Sequence, residues 1–138
     1  MVDQPRYPHA DVTREIIASA FAVHKVLGYG FLESVYRRAM AIELRRRGVN
    51  VQEEVRYDVD YLGEWAGTYR ADLVAEDAVI VELKTGLLPD PVGPALTLNY
   101  MKASRLTVGL FITFGTRVTF KRVVYTSAPE EVPLVANQ

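Results

Sequence analysis

The stretch from Tyr69 to Lys84, YRADLVAEDAVIVELK, decides how this chain reads, because three polar side chains stand in it where two strands should be apolar. Ala78 to Leu83 is a short, nearly all-apolar run rich in β-branched residues, the pattern of a central strand buried on both faces. Charge does not belong in such a strand, yet it ends in Glu82-Leu83-Lys84. Alternation sends Glu82 and Lys84 off one face and Leu83 off the other. Asp72 lies on the preceding run, and Glu76-Asp77 is a polar pair suited to a tight turn between antiparallel neighbours. A hairpin there would set Asp72 beside Glu82.

Two carboxylates close together in a partly buried place repel each other, and each costs several kcal/mol to desolvate unless a cation compensates. A divalent metal is the natural compensator. Hard oxygen ligands select Mg²⁺ or Mn²⁺ over zinc, and a lysine two residues on can orient or deprotonate a water on that ion. The plain alternative is a surface Glu-Lys pair near a strand end with an unrelated aspartate nearby. Three common residues at this spacing leave that alternative open.

The rest of the chain sets bounds. With 138 residues, 49% of them hydrophobic, it is expected to form one domain with a sizeable core, 11–125, between terminal extensions 1–10 and 126–138. The absence of cysteine excludes disulfides, thiolate metal sites and a cysteine nucleophile, and fits a reducing cytoplasm. A zinc site would have only His9 and His24 for nitrogen ligands. No signal peptide and no apolar run of about 20 residues is apparent, so a soluble, cytoplasmic protein without a membrane partner is expected. Sixteen basic and seventeen acidic residues leave a net charge of −1, which does not announce nucleic-acid binding. Arg37, Arg38, Arg45, Arg46 and Arg47 nevertheless cluster on one predicted helix, and Lys102, Arg105, Arg117, Lys121 and Arg122 gather later; a solvated helix face is the default reading of the first group.

Met1 to Ala10, with Pro5 and Pro8, reads as a loose arm. A helix follows, capped by Asp11 or Thr13, with Ile16, Ala20, Val23 and Leu27 as its stripe and Gly28 as its stop. His24, beside that stripe, reads as a core-edge histidine. The second helix is expected from about Leu32 to Arg47, ended by Gly48, with Leu32, Val35, Ala39 and Ile42 as its inner stripe, widened by Tyr36, Met40 and Leu44. Glu33 in its first turn suits the helix dipole and a pairing with Arg37. Val51 to Tyr61 and Glu64 to Val74, joined at Leu62-Gly63, make a three-stranded meander with the buried strand. Pro94 opens a third helix reaching about Ser104, and Thr107 to Phe114 and Val118 to Tyr125 are the last strands. The tail, with Pro129 and Pro133, reads as irregular. This order predicts an α/β fold with a mixed sheet flanked by helices.

Several of these stretches are familiar together. Val23-His24-Lys25, Leu27-Gly28, Gly30-Phe31-Leu32-Glu33-Ser34-Val35-Tyr36, Arg70-Ala71-Asp72-Leu73 and Val81-Glu82-Leu83-Lys84 closely resemble the GxxExxY family of the PD-(D/E)XK nuclease superfamily. An NY-containing helix, VGLFITFG and KRVV follow at matching distances, and the likeness runs from about Thr13 to Val124. The resemblance implies an αβββαβ core and phosphodiester hydrolysis of nucleic acid, DNA rather than RNA, with Mg²⁺ or Mn²⁺. It implies that Asp72 and Glu82 are metal ligands, that the Leu83 backbone carbonyl and Glu33 are further candidates, and that Lys84 activates water or stabilises charge. His24, Tyr36 and Tyr100 fall on its accessory positions. One departure stands out: Leu96 occupies the position, in Ala95 to Lys102, where the family commonly has a glutamine.

Two other classes of function remain open at this point. A nuclease fold lacking that glutamine could bind nucleic acid or a partner without cutting. An apolar, cysteine-free domain with strands near its C-terminus could also self-assemble through an exposed edge.

Overall fold

Two pairs of consecutive left-handed residues bend the middle of the chain into the expected meander. Leu62 and Gly63 (φ 52° and 83°) form a two-residue hairpin turn, and Glu76 and Asp77 (φ 54° and 51°) the centre of a turn closed by the Ala78 N–H on the Ala75 carbonyl; both have the twist that matches the strands they join. The computed structural model describes residues 8–88 and 90–126. Its elements are α1 (Ala10–Leu27), α2 (Glu33–Arg46), β1 (Val51–Tyr61), β2 (Glu64–Ala75), β3 (Val79–Thr85), α3 (Gly93–Ser104), β4 (Val108–Phe114) and β5 (Val118–Val124). The expectations for an irregular tail and for most of an N-terminal arm lie outside the described residues.

The five strands lie in the order β1-β2-β3-β4-β5, antiparallel except for the parallel pair β3 and β4, which α3 connects. The sheet is therefore mixed, and β3 is its central strand, with Val79, Ile80, Val81 and Leu83 buried. Residues of α1 and α2 pack on one face with Leu73, Val81, Leu110 and Ile112; a smaller cluster on the other face joins Ala71, Val74 and Ile80 to Tyr100 of α3. The start of α3 comes so close to β4 that a Cβ on Gly93 would meet the Phe111 ring. Among the described residues no helix is long and apolar enough to cross a membrane.

Two expectations need correction. Neither Asp11 nor Thr13 caps α1. The helix begins after His9, which is itself left-handed, while Thr13 is buried inside the first turn and donates to the Ala10 carbonyl. The inner stripe of α2 is also rotated from the one expected. Tyr36, Met40, Ala41 and Leu44 are buried, whereas Leu32 (75% exposed), Ile42 (52%) and Val35 (37%) face outward. Two interactions choose this face. The Tyr36 hydroxyl donates to the Gly28 carbonyl at 2.6 Å with its ring stacked on Phe114 at 4.4 Å, and Arg37, Arg38 and Arg45 all reach Glu53 of β1 at 3.3 to 3.6 Å. Apolar periodicity cannot register these demands, because the partners lie on other elements. Arg37, Arg38 and Arg45 are thus engaged by Glu53 and Glu54 rather than left together as a free basic surface.

Candidate active site

Asp72 sits where β2 changes allegiance. Tyr69 and Ala71 point into the cluster against α3, and Leu73 and Ala75, of the same parity, point into the core under α1 and α2. On β1 the same change falls between Val51 and Val55, with Glu54 between them at φ 54°, an uncommon conformation for a non-glycine residue in a strand. Glu53 pairs with Leu73 and Val55 with Ala71, but Glu54 and Asp72 are skipped in the ladder. Backbone irregularities of this kind persist where the surrounding structure holds them, and they concentrate at functional sites.

Out of that irregularity the Asp72 side chain turns toward β3, and its Oδ2 accepts the Leu83 N–H at 2.7 Å. The Glu82 carboxyl in turn accepts from the Asp72 backbone, and the two carboxyl groups lie within hydrogen-bond reach of each other. Burial is the main reason the Glu82 carboxyl is pushed up to about 9, with the Asp72 charge adding to it. The Asp72 carboxyl is raised as well, again chiefly by burial, although the Leu83 N–H, Arg37 and the Glu82 proton oppose the rise. The pair is thus biased to hold one proton between its two carboxyl groups, as like charges in one site require.

Glu33, the first residue of α2, faces the same place. Its carboxyl is raised by burial first and by the Asp72 charge second, while Lys84 and Arg37 pull it down. The pairing of Glu33 with Arg37 does not form; Arg37 instead makes ion pairs with Glu53 and Glu54, at 3.6 and 3.3 Å. Lys84 leaves β3 two residues past Glu82 and is half exposed, its Nζ 3.9 Å from Asp90 Oδ2. The other Asp90 oxygen accepts the N–H groups of Val92 and Gly93, which tethers Lys84 to the start of α3.

The three accessory positions separate. Tyr100 of α3 stacks on Tyr69 at 3.8 Å, its carbonyl accepts the Tyr69 hydroxyl, and both rings lie in the field of Glu82. A cleft of about 840 Å³ runs past these two rings, between α3 and the distal β1–β2 hairpin, and Asn99, Lys102 and Arg105 also line it. Tyr36 is engaged with Gly28 and Phe114 as described. His24 holds the Gly115 carbonyl through Nε2 at 2.8 Å, a core-edge role at the far turn. Leu96 is 43% exposed on α3. A groove of about 680 Å³ lined by Leu87, Asp90, Phe111, Phe120 and Lys121 contains none of Glu33, Asp72 and Glu82.

Sequence reasoning missed three participants: Glu54, whose charge raises Asp72; Arg37, which lowers it; and Asp90, which holds Lys84. Only Asp90 carried a signal, as an Asx residue just before a helix.

Among the described residues no three histidine or acidic side chains gather tightly enough to hold a metal ion. The donor set of the acid pair nevertheless fits a hydrated hard cation. Glu82 Oε2 is buried with no donor from the rest of the chain, so the two carboxyl groups can be reconciled only by a shared proton or by a cation, and Mg²⁺ is commonly held by one or two carboxylates with water completing its shell.

The description of the family whose sequence model matches residues 10–123 is PD-(D/E)XK nuclease superfamily. No curated protein matches the chain. Among solved structures, that of SSO0001 superposes with a TM-score of 0.54 at 16% identity, over 86% of this chain and 60% of that one; this chain thus spans less than two thirds of its length. An alkaline exonuclease from Laribacter hongkongensis superposes with a TM-score of 0.50 at 14% identity, over 87% of this chain and 72% of that one. At these identities the likeness is one of fold.

Proposed function

Because this chain belongs to the PD-(D/E)XK nuclease superfamily, we propose that it hydrolyses phosphodiester bonds in nucleic acid, DNA rather than RNA, at the Asp72–Glu82 pair with Mg²⁺ or Mn²⁺. The observation that carries the reading is the buried pair itself: two carboxyl groups, one with an oxygen lacking any donor, on a central strand of a nuclease-family fold. A fold does not keep such a pair for stability, since both groups are more costly charged and buried than replaced.

The roles follow from placement. Asp72, fixed by the Leu83 N–H, and Glu82 would hold the cation, with the Leu83 carbonyl and Glu33 as further ligands. When bound, that cation supplies the positive charge that polarises a phosphoryl oxygen and acidifies the attacking water. Lys84 offers an ammonium group that can leave Asp90 for the charge growing on the scissile phosphate. Tyr69 and Tyr100 present stacked rings along the adjoining cleft. The setting proposed is the cytoplasm, in keeping with a chain that has no cysteine.

A second reading, nucleic-acid or partner binding without cleavage, is favoured by Leu96 and by the proton on Glu82; self-association through a sheet edge is the remaining partner. The deciding experiment incubates the protein with single- and double-stranded DNA and RNA in Mg²⁺, in Mn²⁺ and in chelator. Cleavage that needs the metal and disappears in Asp72→Asn is expected. Four intact substrates in both metals would overturn the nuclease in favour of the binding module.

A further inference from the structure

The β1–β2 ribbon carries a contradiction two residues from the acid pair. Arg56 and Arg70 are direct cross-strand partners, and both are exposed. Like charges directly opposite in a ladder destabilise it. Nothing in the fold offsets them: among the described residues neither arginine has an acidic partner, although Arg37, Arg38, Arg45 and Arg47 all find one. The acids that could have served are engaged elsewhere. Glu54 binds Arg37, and Asp58 accepts from Thr68 and Trp65. A local rule broken without compensation is expected where function is built.

Their position gives the function. Tyr57, Tyr69 and Ala71 turn toward α3, so alternation sends Arg56 and Arg70 off the other side of the ribbon, the α2 side, from which Arg37 and Glu54 act on the Asp72 carboxylate. Arg70 precedes Asp72 by two residues, so even with the ladder broken at Asp72 their backbones lie within about 7 Å, a span comparable with that of successive phosphates. We propose that Arg56 and Arg70 together clamp a phosphate of the nucleic-acid backbone beside the scissile one, each guanidinium offering a fork of donors to non-bridging oxygens. An incoming phosphate supplies the anion that the fold withholds, and it turns a repulsive pair into a binding one. This assignment rests on the nucleic-acid reading above, though it does not require cleavage.

The test measures anisotropy of labelled duplex DNA, single-stranded DNA and duplex RNA in chelator, where cutting cannot intervene, over a range of KCl. For the arm the wild type binds best, the double variant Arg56→Gln/Arg70→Gln should bind about 10-fold more weakly or worse, and the log–log salt slope should fall by about 2, one for each arginine withdrawn from the phosphate backbone. Its thermal midpoint should equal or exceed that of the wild type, because a repulsion has been removed. Arg56→Glu is the sharper variant. It would pair with Arg70 across the ladder, raising the midpoint while lowering affinity at least as far, a split that a merely structural pair would not produce. A double variant within 2-fold of wild type in affinity with an unchanged slope overturns the clamp, as does a wild type that binds none of the arms. Binding that is lost in the double variant, with no cleavage by the wild type in Mg²⁺ or Mn²⁺, upholds the clamp and removes the nuclease.

Discussion

Replacing Glu82 by glutamine should make the metal-free protein more stable, by an amount that grows with pH. The protonated Glu82 carboxyl donates to Asp72 and accepts from the Asp72 backbone, and a glutamine amide can do both without a titrating proton. The sign follows from the direction of the shift. The Glu82 carboxyl ordinarily titrates at 4.5 and is raised to about 9 in the fold, so its contribution is fully present below 4.5 and is lost as pH climbs toward 9. One proton difference is worth about 1.4 kcal/mol per pH unit, so between about pH 5 and pH 8 the wild type should lose roughly 2 to 4 kcal/mol from this group, the lower figure allowing for water entering beside the carboxylate. At about 3 °C per kcal/mol for a chain of this size, that is a fall of roughly 6 to 12 °C which Glu82→Gln should escape. Urea unfolding of both proteins in chelator at several pH values reads the difference directly. Adding Mn²⁺ at the upper pH should recover the loss in the wild type and do little for the variant, since the cation competes for the proton's place. Parallel stability curves for the two proteins across this range would refute the reasoning, because Glu82 would then carry no proton that burial holds.

Asp72→Ala and Lys84→Ala should each lower cleavage by about 100-fold or more, the usual worth of a group that stabilises charge in the transition state, while leaving the affinity for nucleic acid in chelator nearly unchanged; comparing kcat with the binding isotherm checks both halves. Leu96→Gln, on a half-exposed position of α3, should raise the cleavage rate without altering the fold, as followed by a plasmid-nicking time course and circular dichroism. Gly93→Ala should cost about 1 to 3 kcal/mol in denaturant unfolding, because the new methyl collides with the Phe111 ring where α3 is closest to β4.

How far each feature was legible in the sequence depends on where its cause lies. The hairpin that joins Asp72 to Glu82 was legible because its turn, Glu76-Asp77, and its alternation are written in consecutive residues, and both turn residues adopt the left-handed conformation. The inward face of α2 was not. Val35 and Ile42 are as apolar as Tyr36 and Met40, and what selects between them is a carbonyl at Gly28 and a carboxylate at Glu53, each on another element. The same holds for Asp90 and Lys84, which meet across the loop before α3, and for Arg56 and Arg70, whose opposition exists only once the ladder register is known.

The acid pair shows why the two kinds of information meet at Asp72. Alternation predicts that Asp72 and Glu82 share a face, but regular pairing would leave the Asp72 carboxylate beside the strand and spend the Leu83 N–H on its neighbour. The β2–β3 ladder instead stops at Leu73 and Val81, which leaves that N–H for the carboxylate, at 2.7 Å, and so fixes the carboxylate's position. A residue held by the backbone needs no reorganisation when charge develops beside it. The strain at Glu54, the proton on Glu82 and the unpaired arginines of the ribbon are therefore costs with one location. On the proposed function the last two would be relieved by something the chain itself does not supply: a cation between the carboxylates, and phosphate between the guanidinium groups.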